Sequence, residues 1–135
     1  MQTTKSIFEI WTPPNETINK ENIFNQIDKF IQRDLTSKWE TGEVLQTWRQ
    51  GDNCEVFVFT KADEITRISF RFDHSNIDHK FKSDIIDFAE RNGFKISINQ
   101  RLIFSPGQLT TDLINENYEI VKELDDPLTF LKKQK

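Results

Sequence analysis

Residues 54–73 read CEVFVFTKADEITRISFRFD, two strand-like runs separated by a short polar break. The second run alternates strictly between apolar and polar residues: Ile68, Phe70 and Phe72 against Arg67, Ser69, Arg71 and Asp73. A period of two is typical of an antiparallel strand with one buried face. The stretch therefore predicts a β-hairpin at the centre of the fold.

The length of the break decides which faces of the two strands coincide. An even loop centred on Ala62-Asp63 pairs Phe57 with Ile68 and places the phenylalanines of both strands on one face. The other face then carries the remaining side chains: Cys54, Val56, Val58, Arg67, Ser69 and Arg71. An odd loop shifts the register by one residue and places Phe57 and Phe59 beside the arginines instead. We expect the even loop.

Length and composition bound the class of protein. A chain of 135 residues predicts a single domain, residues 1–135, and 36% hydrophobic with 30% charged residues is typical of a soluble globular protein. The net charge of −4 disfavours nucleic-acid binding, which needs a basic surface, and suits a neutral or basic partner. The chain lacks the glycines that mark RNA-recognition strands and phosphate-binding loops.

Nothing in the sequence predicts export or membrane insertion. The single cysteine, Cys54, cannot form an internal disulfide, and Glu9 interrupts the only apolar stretch near the N-terminus. We therefore expect a cytoplasmic protein that does not bind membranes. The abundance of Ile, Lys, Asn and Phe favours a bacterial source.

The first half of the chain predicts a strand, a helix and a second strand. The first strand spans residues 6–11, and the second spans residues 39–49 with a bend at Gly42. Between them, Asn19 is a good helix N-cap and Glu21 suits the first turn. Apolar residues then recur at helical spacing: Ile23, Ile27, Phe30, Ile31 and Leu35.

The second half predicts a helix over residues 78–92, ended by Gly93, and a strand over residues 94–98. Residues 101–104 either extend that strand or turn back as a short hairpin arm. Further helices are expected near residues 112–123 and after Asp126. The fold class is α+β: an antiparallel-rich twisted sheet with helices packed on one face, ferredoxin-like with an added strand and C-terminal helices.

Both histidines lie in one short segment with two acids: Asp73, His74, Asp78 and His79. Imidazole and carboxylate groups are natural zinc or manganese ligands, so a metal or acid–base site is one interpretation. The other is an Asx turn and helix cap with exposed histidines. No further ligand pair stands at metal spacing, so we expect no metal, cofactor or catalytic residue, and keep a pocket near Asp73, His74 and His79 as the alternative.

The sheet face opposite the helices is the stronger candidate for function. In the even register Arg67, Arg71, Val56 and Val58 lie on it together, an arginine and small-apolar composition that favours a protein contact. The alternative is that the arginines pair with acids of this chain while their stems cover apolar surface. The sequence does not decide whether Trp39 and Trp48 lie in the core or at the rim of the sheet.

The strand ITRISFRFD, the helix FKSDIIDFAERNG and the ending DPLTFL at residues 126–131 resemble small uncharacterised bacterial α+β proteins, some of immunity-protein type. The resemblance implies a non-enzymatic protein binder and carries over no functional residue. We expect a small protein-binding module that occludes a partner, or self-associates, through the sheet face. The alternative is a small enzyme or ligand-binding domain.

Overall fold

The computed structural model describes residues 5–12, 18–51, 54–73, 79–98, 102–110 and 113. These residues form a seven-stranded sheet, two α-helices and a short 3-10 helix at Pro106–Gln108. The strands are β1 Lys5–Trp11, β2 Arg33–Lys38, β3 Glu43–Gln50, β4 Cys54–Lys61, β5 Glu64–Asp73, β6 Lys95–Ile98 and β7 Leu102–Phe104. The helices are α1 Lys20–Asp28 and α2 His79–Arg91.

The strand order is β2-β3-β4-β5-β1-β6-β7, and every neighbouring pair is antiparallel. Strands β2 to β5 form a meander, α1 connects β1 to the distant edge strand β2, and α2 carries the chain from β5 across β1 to β6. The α+β prediction is confirmed. Seven strands are more than a ferredoxin-like fold has, so that finer assignment stays a prediction.

The start of α1 follows the sequence closely, but its end does not. The Asn19 side chain accepts a hydrogen bond from Asn22 N at 2.9 Å, as an N-cap does. The helix then stops at Asp28, and Leu35 belongs to the edge strand β2 with 63% of its surface exposed. The predicted stripe is therefore wrong at Leu35. Leu35 follows Ile31 by four residues, which is the spacing of a helical turn, but residues 33–38 pair with β3 as a strand.

The strand predicted over residues 39–49 is also corrected. Its first part is a turn, closed by a hydrogen bond from Gly42 N to Trp39 O at 3.0 Å, and Gly42 has φ +90°. The elements after the central hairpin agree better with the prediction. Gly93, at φ 71°, ends α2, and β7 pairs antiparallel with β6 as the short hairpin arm, which was one of the two alternatives for residues 101–104. The predicted C-terminal helices lie outside the described residues.

The central hairpin has the predicted turn but the opposite register. Lys61 pairs with Glu64 around Ala62 and Asp63, and the φ angles of 53° and 64° at these two residues are those of a type I′ turn. A β-bulge then shifts the pairing, so that Phe59 faces Arg67 and not the residue before it. The bulge has the effect that an odd loop would have had, because one extra residue on β5 exchanges the faces of β4.

The inner face of the sheet, which contacts both helices, carries the core. In register, Val56 lies between Trp48 and Phe70, so these three side chains share a face, and all three are fully buried. Phe24 of α1 packs edge-on against Trp48, with ring centroids 5.0 Å apart. Phe81 of α2 packs against Phe70, with centroids 6.5 Å apart. Both helices therefore cover the same face.

Packing volume explains why valine and not phenylalanine of β4 lies inward. Large rings already fill the space under the helices: Phe8, Phe24, Trp48, Phe70, Phe72, Phe81 and Phe88. Adding Phe57 and Phe59 would overfill this layer, and excess volume in a core is destabilising. The two helices are also joined by a reciprocal amide pair, Asn92 Nδ2 to Gln26 Oε1 at 2.8 Å and Gln26 Nε2 to Asn92 Oδ1 at 3.2 Å.

Candidate functional site

The outer face of the sheet, opposite α1 and α2, carries a dense set of charged and aromatic side chains. Its central positions on β3, β4, β5 and β1 are Arg49, Glu55, Phe57, Phe59, Arg67, Ser69, Arg71, Ile7 and Glu9. The ring contacts of α1 and α2 reach only the inner face in the described part of the chain. The outer face is therefore the sheet surface on which to look for a partner site.

One chain of ion pairs crosses four strands of this face, from β2 to β5. Glu55 on β4 receives Arg49 of β3, Nη2 to Oε2 at 3.0 Å, and Arg71 of β5, Nη1 to Oε1 at 3.4 Å. Arg49 also approaches Asp34 of β2, Nε to Oδ2 at 3.9 Å. Only 10% of the Glu55 side chain is exposed, so its two arginines are its main source of stabilisation.

A second ion pair lies toward the other edge of the sheet. Arg67 Nε is 3.6 Å from Glu9 Oε1, and the side chains are 23% and 11% exposed. Ser69 lies between the two arginines along β5 and is 2% exposed, and its hydroxyl has no hydrogen-bond partner among the described residues. The arginines are thus engaged by acids of this chain, as the alternative interpretation of the sequence anticipated.

Apolar side chains mark the rim of the outer face. The exposed large hydrophobic residues among those described are Leu35 at 63%, Trp39 at 41% and Ile103 at 46%. Trp39 stacks on Phe59 with ring centroids 6.3 Å apart, and Ile103 pairs with Ser97, which in turn faces Glu9. Leu35 precedes Thr36 on β2 and alternates to the outer side. All three lie on the same side of the sheet as the arginines.

A shallow depression of about 400 Å³ joins the second ion pair to this rim. Its lining mixes one acid, one arginine, hydroxyls and apolar surface: Glu9, Ile10, Trp11, Thr12, Thr66, Arg67, Ser97 and Ile103. Lys95 lies over the Trp11 ring, its Nζ 5.6 Å from the centroid. Such a surface can receive a polar side chain and an apolar side chain of a protein together.

The predicted contact residues divide between the two faces. Arg67 and Arg71 lie together on the outer face, as expected, whereas Val56 and Val58 are wrong, since both are fully buried on the inner face. The bulge is the cause, because it places Phe57 and Phe59 beside the arginines. Leu35 was missed as a surface residue, and Trp39, whose face the sequence left undecided, is 41% exposed. No local periodicity could have shown the exposure of either residue.

The segment that contains both histidines gives less support for a functional site than the outer face does. His74 and Asp78 lie outside the described residues, as do the side chains of Asp73 and His79, so the pocket predicted there stays a prediction. In the described part of the chain no group of three or more His, Cys, Asp or Glu residues could hold a metal ion. Cys54 is buried at 2% on the inner face.

None of the described helices combines the length and the apolarity that a membrane span requires. Compared with known protein families, characterised proteins and solved structures, the chain shows no significant match.

Proposed function

We propose that this protein is a small bacterial protein-binding module, of immunity or accessory type, that occludes a partner protein through the outer face of its sheet. The observation that carries the proposal is that Leu35 and Trp39 at the β2 edge, and Ile103 at the opposite β7 edge, are each more than 40% exposed on the face away from α1 and α2. Tryptophan is among the residue types enriched at the energetic centres of protein contacts.

The charges of the outer face support a contact with another protein. Arg49, Arg67 and Arg71 are already paired with acids, so a partner does not have to bury an unpaired charge there. The net charge of −4 repels a second copy of this chain and attracts a basic partner. The partner we propose is therefore a different protein with a basic surface, whose approach is steered by this charge.

The test compares wild-type protein with a Leu35→Asp, Trp39→Asp double variant as bait in lysate of the source organism. A matched control is Ser83→Asp, which places a charge on the exposed side of α2. Quantitative mass spectrometry should find a protein retained by wild type and control and at least tenfold depleted with the double variant, about 1.4 kcal/mol in affinity.

The captured protein is then purified and titrated against the same three baits. Direct binding with the same order of affinities supports the proposal, and equal capture by all three baits contradicts it. Light scattering on the wild-type protein tests the remaining outcome, which is self-association through the outer face. A dimer that the double variant abolishes would make the second copy of this chain the occupant of the face.

A further inference from the structure

The inner face is apolar at nearly every position except one corner. There, inward positions on three adjacent strands are polar: Thr36 and Lys38 on β2, Gln46 on β3 and Thr60 on β4. We call these four residues the polar corner. Gln46 and Thr60 are each only 5% exposed, although burying polar groups costs free energy unless they find partners.

Some of these groups satisfy one another. Thr36 Oγ1 donates to Gln46 Oε1 at 2.6 Å, and the Gln46 amide donates to the carbonyls of Leu35 and Thr47, both at 3.1 Å. The Thr60 hydroxyl has no hydrogen-bond partner among the described residues, and none of their acids pairs with Lys38. The corner therefore holds donors that the described part of the chain does not use.

A cavity of about 450 Å³ opens over the polar corner, where the first turn of α1 meets the β2–β3 and β4–β5 turns. Lys20 and Phe24 of α1 form one wall, and Gly42, Val44, Ala62 and Asp63 complete the lining. Lys20 Nζ lies 5.7 Å from the Phe24 ring centroid. The space is of the size that small-molecule sites have, with an apolar wall facing a polar one.

The charges in this cavity favour an anion. Two ammonium groups, Lys20 and Lys38, line it against one carboxylate, Asp63. Asp63 pairs with Lys20 at 3.2 Å but is 91% exposed, so the pair is a weak surface contact that an incoming anion can displace. Lys20 itself is 27% exposed, which restricts the space its ammonium group can reach.

We infer that this cavity binds a small organic anion, a phosphate or carboxylate group on an apolar body. The anionic group lies between Lys20 and Lys38 and accepts from the Thr60 hydroxyl, while the apolar body packs on Phe24 and Val44. Asp63 acts as an internal competitor for Lys20. This site lies on the opposite side of the sheet from the proposed protein contact and does not depend on it.

The test is a titration of ¹⁵N-labelled full-length protein with phenyl phosphate, benzoate and the uncharged benzyl alcohol, each up to about 10 mM. Phenyl phosphate or benzoate should give saturable amide shifts at Lys38, Gly42 and Thr60, and benzyl alcohol should not. Comparing the two anions shows whether phosphate or carboxylate is preferred. Saturable shifts elsewhere only, or none, would overturn the inference.

Four variants separate the proposed site from general charge attraction. Lys20→Gln and Lys38→Gln should each weaken binding about fivefold, whereas Lys29→Gln, exposed beyond the end of α1, should leave it unchanged. Asp63→Asn should tighten binding about two- to fivefold, because it removes the competitor and asparagine tolerates the φ of 64° there. Equal weakening by Lys29→Gln, or no gain from Asp63→Asn, would contradict the inference.

Discussion

Arg67 and Arg71 are neighbours on one side of β5, and each is engaged by a glutamate of an adjacent strand. Glu9 and Glu55 are 11% and 10% exposed at the side chain, so the ion pairs with Arg67, and with Arg71 and Arg49, help to offset the cost of desolvation. These residues therefore hold the sheet face together, and their first role is in stability. The protein contact that we propose rests on the exposed apolar rim.

Charge reversal separates these two roles. Arg67→Glu with Arg71→Glu should lower the free energy of unfolding by about 2 kcal/mol or more, because it places like charges beside Glu9 and Glu55. The control is Lys29→Glu with Arg91→Glu, which reverses two exposed charges at helix ends and should cost well under 2 kcal/mol. Urea unfolding of both proteins measures the difference. A double variant as stable as the control but unable to bind its partner would show that the arginines serve the contact instead.

Asp28 gives a pH-dependent prediction. Partial burial raises the pKa of this carboxyl, but hydrogen bonds from Arg33 and from Trp48 Nε1 at 2.8 Å, with the Arg33 charge, outweigh burial and hold the pKa below its ordinary value. A lowered folded-state pKa contributes stability above the unfolded-state pKa, near 3.9, and that contribution is lost as pH falls through the folded-state value.

Asp28→Asn should therefore be less stable than wild type at pH 7, by about 1 kcal/mol or less because the side chain is 37% exposed. The difference should shrink as pH falls below about 4. Asp87→Asn on the exposed side of α2 serves as the control. Thermal melts between pH 7 and pH 2.5 measure the stability difference between wild type and Asp28→Asn. A difference that stays constant over this range would show that the charge of Asp28 does not contribute to stability.

At the scale of the elements, the bulge in the central hairpin decides the most. Next to the turn, Lys61 pairs with Glu64 and Thr60 pairs with Ile65. Beyond the bulge the pairing shifts by one residue, so that Phe59 pairs with Arg67 and the rest of β4 keeps this second register. As a result Val56 and Val58 enter the core. Phe57 and Phe59 lie on the outer face, where Phe59 stacks against Trp39. One extra residue thereby exchanges the sides of a whole strand.

Val58→Thr tests this register. The change keeps the shape of the side chain but places a hydroxyl on the fully buried inner face, and should cost about 1–3 kcal/mol in urea unfolding. Phe70→Ala on the neighbouring strand should cost about 3–5 kcal/mol. Ile103→Thr, on the exposed rim, is the control and should change little. Full stability of Val58→Thr would instead place β4 in the register without the bulge.

At the scale of the whole molecule, the fold is held by a layer of rings and branched side chains between the sheet and two helices. The largest fully buried side chains include Trp48, Phe8, Phe70, Phe72, Phe81 and Phe88. Such a core can stabilise a chain of this length without a metal or a disulfide. The outer face adds an ion-pair network beside the buried apolar side chains of Ile7, Phe57 and Phe59.

A metal-independent fold is the corresponding prediction. Purified protein should contain no stoichiometric zinc or manganese, and treatment with a chelator should leave the melting temperature unchanged. His74→Ala with His79→Ala should likewise leave the melting temperature nearly unchanged, as the interpretation of this segment as a turn and helix cap predicts. One metal ion per chain by elemental analysis, lost in the double variant, would revive the alternative of a ligand or catalytic site near Asp73, His74 and His79.

The sequence by itself determined the elements whose signals are local. The Asn19 cap, the Gly93 terminus, the turn at Ala62-Asp63 and the inward face of β5 around Phe70 all follow from neighbouring residues. The same alternation placed Arg67 and Arg71 on the opposite face. Period-two and period-3.6 patterns act within a few residues, so they can be recognised without knowledge of the partners.

Only the tertiary structure decided the face of β4, the existence of β2 and the exposure of Leu35 and Trp39. A bulge leaves no mark in the periodicity of the strand that it inverts, and its register is selected by the volume available beside Trp48 and Phe70. Likewise, the spacing of Leu35 from Ile31 fits a helix, but the pairing of β2 with β3 places Leu35 in a strand. Long-range packing overrides local preference at these positions, because burial and strand pairing contribute more free energy than propensity does.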